Sequence, residues 1–207
     1  MIKNYDELNE MQIDVLREIG NIGAGNAATA LATILDERVD ISVPKVRITD
    51  FDTAISDLGG AETMTVGVLV NLMDEATGMI MFLLKMEDAK GILSLLQLDA
   101  EDDDENELSE LKISAIKEIG NILASSYINA ISTLTGLKIN ISIPYLAIDM
   151  AGAIMSVPII EFASIGDKVM YIEESFSAEE NHLSSNVILF AEMETIKTIM
   201  ERLGLEV

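Results

Sequence analysis

Cysteine is absent from the 207-residue chain. Disulfides, thiolate metal sites and a cysteine nucleophile are therefore excluded, and the redox compartment is left open. Basic residues are scarce: thirteen lysines and arginines stand against thirty-six aspartates and glutamates, for a net charge of -23. A field of that sign repels phosphate backbones and anionic lipid, so a nucleic-acid partner is not expected. The first reading of that charge is solubility; the alternative is attraction of a partner that exposes lysines. No apolar run approaches membrane-spanning length. The start, Met1-Ile2-Lys3-Asn4-Tyr5-Asp6-Glu7, has neither the apolar centre of a signal peptide nor an arginine-rich transit pattern. A soluble, cytoplasmic protein without membrane insertion is the expectation. Histidine occurs once, at His182, and a lone histidine is far more often structural than catalytic. Aromatics make up only 4% of a chain that is 49% hydrophobic with twelve methionines, so the core is aliphatic, with methionine as gap filler.

What the chain does have is a pattern that occurs twice, one hundred residues apart: Asp14, Glu18, Asn21 and Pro44, then Ser114, Glu118, Asn121 and Pro144. Around it, Leu16-Arg17-Glu18-Ile19-Gly20-Asn21-Ile22 answers Ile116-Lys117-Glu118-Ile119-Gly120-Asn121-Ile122. Drift in a duplicated core keeps apolar character. A carboxylate, a glycine and a carboxamide held at the same places in both halves point instead to a duplicated surface site.

Asp14 to Leu35 reads as a helix, with Val15, Leu16, Ile19, Ile22 and Ile34 on one side. The small residues Gly23, Ala24, Ala27 and Ala30 between them predict close packing on another element. Val39, Ile41 and Val43 alternate as a strand that Pro44 interrupts and Val46 and Ile48 continue. Met64 to Met73 and Gly78 to Met86 read as two further strands, and Glu87 to Leu98 as a second helix. The expected half-module is helix, three strands, helix. Asp99 to Glu110 carries eight acidic and no basic residues, the mark of a solvated linker. The second half repeats the order, with a helix from Leu111 to Thr135 and a strand from Lys138 to Ile148. Met86-Glu87-Asp88-Ala89-Lys90 then aligns with Met193-Glu194-Thr195-Ile196-Lys197 at an offset of 107, so about seven residues have been gained. They are expected within Tyr145 to Asn186. Asp149 to Ile154 and the apolar run up to Phe162 show no counterpart in the first half, and a short added helix is expected there.

At about 100° per residue, Glu18 and Asn21 fall within about 40° of Asp14, so each copy presents one polar face opposite its apolar stripe. Gly25 and Ser125 lie one turn further along, where lack of bulk lets another backbone approach. A single such face would read as ordinary solvent-facing polarity. The second copy at equal spacing makes it a site. Chemically the pair is half a site. A neutral Asn cannot act as a base but can hold and orient a water, while Glu can act as a base or pair with a lysine. No phosphate loop, nucleophile elbow, Ser-His-Asp set or metal-ligand cluster accompanies it. Gly20-Asn21-Ile22-Gly23-Ala24-Gly25 resembles a nucleotide loop only weakly, and its place in a helical pattern argues for packing. A chain offering half a site fits a substrate that is another protein carrying the rest.

Asp or Ser, three residues, Glu, two residues, Asn, twenty-two residues, Pro resembles the signature of the CheC/CheX/FliY phosphatase family of bacterial chemotaxis. Both copies fit it in full, the likeness covers essentially the whole chain, and two motifs in one chain is the CheC arrangement. The resemblance implies an α/β (α+β) fold of pseudo-twofold symmetry, with a central sheet and the two long motif helices exposed on one side. It implies one domain, residues 1–207, made of two repeats (about 10–98 and 108–207) joined by the acidic linker 99–107. The implied substrate is the phosphorylated response regulator CheY. Glu18 and Glu118 would pair with the regulator's lysine, and Asn21 and Asn121 would align the water that attacks its aspartyl phosphate. Asp14 and Ser114 would support the helix face, and Pro44 and Pro144 would shape the neighbouring strand. The chain would need no cofactor of its own, since the Mg2+ belongs to the regulator, and it would act as a monomer. A second implied partner is the receptor deamidase CheD, with its interface expected at Asp149, Met150 and Ala153. The rival expectation is a non-enzymatic adaptor that holds CheD or serves as a flagellar-switch scaffold. A further switch domain is not expected.

Overall fold

The structure, a computed structural model, describes residues 4–36, 38–98, 108–162, 168–178 and 181–206. The predicted acidic linker 99–107 lies outside the described residues, as does the side chain of His182. The first motif helix, α1 (Glu10–Leu35), starts one turn earlier than the pattern predicts. Its start is set by a reciprocal cap: the Asn9 side chain accepts the Gln12 N–H at 3.0 Å and the Gln12 side chain accepts the Asn9 N–H at 2.9 Å. It ends at Asp36, whose φ of 52° is left-handed.

The chain then forms β1 (Val39–Ile41) and β2 (Lys45–Asp50), separated by the turn that holds Pro44. A short helix that the sequence reading missed follows, α2 (Phe51–Asp57), capped by the Asp50 carboxylate on the Thr53 N–H at 2.7 Å. Next come β3 (Met64–Asp74), β4 (Gly78–Lys85) and α3 (Met86–Leu95). The half-module thus has four strands, two of them made from the one interrupted run, and an additional helix.

The second half runs α4 (Glu110–Thr135), β5 (Ile139–Ile141), β6 (Tyr145–Met150), α5 (Ala151–Glu161), β7 (Lys168–Ala178), β8 (Asn181–Ala191) and α6 (Met193–Arg202). The expectation that residues 149–162 have no counterpart is corrected here. α5 repeats α2, since each follows directly on the strand after its motif proline. With eleven residues against seven, α5 is one turn longer, and that turn supplies four of the residues gained. The repeat was hidden because α2 is too short for a periodic pattern and is identical to α5 only at Ser56 and Ser156.

Among the described residues the eight strands form one antiparallel sheet in the order β1-β7-β8-β4-β3-β5, with β2 also on β7 and β6 also on β3. The halves exchange strands: β1 and β2 of the first pair with β7 of the second, while β5 and β6 of the second pair with β3 of the first. The pseudo-twofold axis crosses the central β4–β8 ladder, near Met81 and its register partner Ile188.

Each face of the sheet carries its own core. On one, α1, α3, α4 and α6 bury Leu16, Ile19, Ile116, Ile119 and Ile196 against Val68, Val70, Phe82 and Ile172. On the other, α2 and α5 bury Phe51, Ala54, Ile154 and Met155 against Met81, Tyr171 and Phe190. Phe190 stacks between Phe51 and Phe162, with ring centroids 5.7 and 5.6 Å away. Area removed from water on both faces is the main stabilising term.

Candidate functional site

α1 and α4 pack beside each other on one face of the sheet, α1 over β1, β2 and β7 and α4 over β3 and β5. The inner side of each helix is fixed by the apolar residues between the motif positions. The outer side carries the polar ridge: Asp14, Glu18 and Asn21 on α1 and Ser114 and Glu118 on α4 are exposed, while Asn121 is half-buried. The structure therefore brings each predicted Glu/Asn pair together on one accessible face.

The glycine inside each motif sets how deeply its helix sits. A Cβ on Gly20 would lie 2.6 Å from Val46 Cγ2, and one on Gly120 would lie 2.5 Å from Val68 Cγ1. Both contacts are shorter than any side chain tolerates, so only glycine lets the helix lie this close to the strands. The glycines position the adjacent asparagines; they do not form a phosphate loop.

The two ridges are not identical. Asp14 is paired with Arg17 at 2.7 Å, both well exposed, whereas the equivalent residues of the second copy are Ser114 and Lys117. Ser125 turns its hydroxyl back to donate to the Asn121 carbonyl at 2.8 Å. Gly25, at the equivalent place, would have nothing within 4 Å of a Cβ. Pro44 and Pro144 are half-buried in the β1–β2 and β5–β6 breaks, next to the highly exposed Val43 and Ile143. Among the described residues no group of three or more His, Cys, Asp or Glu side chains could hold a metal ion, and no helix is long and apolar enough to cross a membrane.

Asp149, Met150 and Ala153 lie away from both ridges, where edge strand β6 enters α5, and all three are exposed. Asp149 accepts the Met150 N–H at 2.7 Å. Beside them a cavity of about 400 Å3 opens between α5 and the sheet, lined by Gly67, Leu69, Tyr145, Ala147, Ile154 and Val157. Sequence reasoning missed it, because it arises from a cross-strand pair. Gly67 is the register partner of Ala147, while in the other half the pair is Arg47 with Tyr171. There Arg47 lies over the Tyr171 ring, 4.8 Å from its centroid, and is ion-paired to Asp57. Two small residues leave space in one half that a large stacked pair fills in the other.

A duplicated helix–sheet module with paired Glu/Asn ridges defines the class, and the comparisons agree. The sequence model of the CheC-like family matches residues 11–48 and 111–146, which hold both ridges and both prolines. The chain is 30% identical over 97% of its length, and 97% of the relative's, to the CheY-P phosphatase CheC of Bacillus subtilis. Among solved structures, FliY of Thermotoga maritima superposes with a TM-score of 0.72 at 28% identity, over 96% of this chain and 98% of that one. The FliM middle domain of H. pylori shares the fold, with a TM-score of 0.70 at 10% identity over 94% and 99% of the two chains. The chain belongs to the CheC-like family.

Proposed function

We propose that this protein is a cytoplasmic CheY-P phosphatase, a single domain of two repeats that acts as a monomer with two sites. The observation that carries this reading is the Glu/Asn ridge presented outward at the same place on both motif helices, in a chain 30% identical to a CheY-P phosphatase. Glu18 or Glu118 pairs with the active-site lysine of the regulator in a charge-assisted contact. Asn21 or Asn121 enters the phosphorylation site and hydrogen-bonds a water in line with the acyl phosphate. The water oxygen bonds to phosphorus as the bond from phosphorus to the aspartyl oxygen breaks. Inorganic phosphate leaves, and the aspartate is regenerated. Positioning alone can supply this acceleration, because phosphoryl transfer needs an aligned nucleophile more than a strong base. The Mg2+ that neutralises the phosphate belongs to the regulator, and the protein needs no cofactor of its own.

A second reading is favoured by the α5 region: the deamidase CheD docks at Asp149, Met150 and Ala153. The exposed Met150, Val157 and Ile160, 49%, 51% and 76% accessible, supply apolar surface there. If docking were the whole function, the protein would be an adaptor.

The decay of phosphorylated CheY decides between them. Wild type is expected to accelerate it, each of Asn21→Ala and Asn121→Ala to retain activity from the other site, and the double variant to lose it. No acceleration by folded wild type, with or without CheD, would overturn the phosphatase reading.

A further inference from the structure

Met11 and Leu111 stand at the first turn of α1 and α4, three residues before Asp14 and Ser114, and are 64% and 65% exposed. On helical geometry each lies within about 80° of every ridge position of its own helix, so it continues the ridge toward the N-terminus. A lone exposed apolar residue needs no explanation. Here the side chain differs between the copies while the place, the apolar character and the exposure are the same. Residues 12 and 112, Gln12 and Lys112, are buried, so the helices have already filled their inner faces and positions 11 and 111 are surplus to folding. The exposed apolar residues near α5 behave otherwise: Tyr145, Met150 and Val157 correspond to Lys45, Asp50 and Asp57 in the first half.

We infer that Met11 and Leu111 are the apolar anchors by which each ridge grips the response regulator, an inference that rests on the phosphatase reading above. Met11 lies about 10 Å along the helix from Glu18 and about 15 Å from Asn21. An interface of ordinary size, about 800 Å2 per partner, reaches about 16 Å from its centre, so one centred on the asparagine covers position 11. Carboxylate and carboxamide orient the partner. Affinity comes from desolvated apolar contacts, of the kind in which methionine is enriched. A second copy of this chain is the weaker occupant, since two molecules each at -23 repel.

The test is steady-state dephosphorylation of CheY by the Met11→Gln/Leu111→Gln double variant, which keeps helix propensity and adds no charge, after circular dichroism has shown it folded. The expected result is a KM raised about tenfold with kcat unchanged, because an anchor far from phosphorus serves ground and transition states alike. The swap Met11→Leu/Leu111→Met should leave KM near wild type. An unchanged KM in the glutamine variant, with wild type active, overturns the inference and leaves the phosphatase reading standing. Inactive wild type overturns both. A wild-type dimer that the glutamine variant dissociates without a change in KM would assign these residues to self-association and also overturn it.

Discussion

Gly23 of α1 lies against the ring of Tyr127 of α4, so closely that a Cβ on Gly23 would fall 2.3 Å from Tyr127 Cδ1. The equivalent residues, Leu123 and Ala27, reverse the sizes. Large against small in opposite senses lets the two ridge-bearing helices meet without a gap, and that contact sets the relation of the two sites. Gly23→Ala is expected to destabilise the protein by about 1–3 kcal/mol. Gly25→Ala, where nothing lies within 4 Å, should stabilise it by about 0.5–1 kcal/mol through helix propensity. Denaturant unfolding of the two variants checks the opposite signs.

Removing the ridge carboxylates tests the ion pair separately from the water. Glu18→Gln/Glu118→Gln preserves shape and removes two charges from exposed positions. The loss of charge-assisted contacts predicts a fall in kcat/KM toward phosphorylated CheY of about tenfold. The difference from wild type should shrink as salt rises, since these charges are open to screening. Kinetics at two ionic strengths measure both effects.

Glu174 gives a pH dependence. It is fully buried on β7, accepts the Ser185 hydroxyl at 3.2 Å, and its other carboxylate oxygen has no partner among the described residues. Burial pushes its pKa from 4.5 up to about 8. The folded protein therefore holds a proton that the unfolded chain releases. The resulting stability is complete below pH 4.5 and is lost as pH rises to about 8, a swing on the order of 5 kcal/mol at most. Glu174→Gln, neutral at all pH and able to keep the serine contact, should unfold at higher denaturant than wild type at pH 8 and show a flatter profile between pH 5 and 8. Parallel profiles for the two proteins would contradict this.

Tyr127 carries a second buried cost. Its ring packs near Phe82 with centroids 6.2 Å apart, but its hydroxyl is buried with no partner among the described residues. Tyr127→Phe removes the unpaired group and keeps the ring, so stability should rise by about 1 kcal/mol with phosphatase activity unchanged. Thermal unfolding and the decay assay test the two halves of that statement.

The long helices α1 and α4 could be read from the sequence because 26 residues each show helical period over many turns. Both polar ridges could be read because duplication repeats Glu18 and Asn21 at Glu118 and Asn121. The repeat also marks Gly20 and Gly120, but as part of a surface site; the structure buries both, against Val46 and Val68. α2 stayed hidden because its seven residues are too few for a period to show. Consequently α5 looked like an insertion when it is a repeat lengthened by one turn.

By itself the sequence determined the duplication, the motif faces, the charge and the aliphatic core, because each is a matter of residue type and local spacing. Tertiary structure alone decided that the halves exchange strands, since the pairing of β1 and β2 with β7, and of β5 and β6 with β3, depends on contacts more than a hundred residues apart in the first case. It also decided where space is left. Gly67 meets Ala147 while Arg47 meets Tyr171, and only the antiparallel register makes those four residues partners. The burial of Glu174 is of the same kind: β7 places it in line with Ile172 and Phe176 on the face that the motif helices cover, and a carboxylate carries no sign of its own that it will lie there.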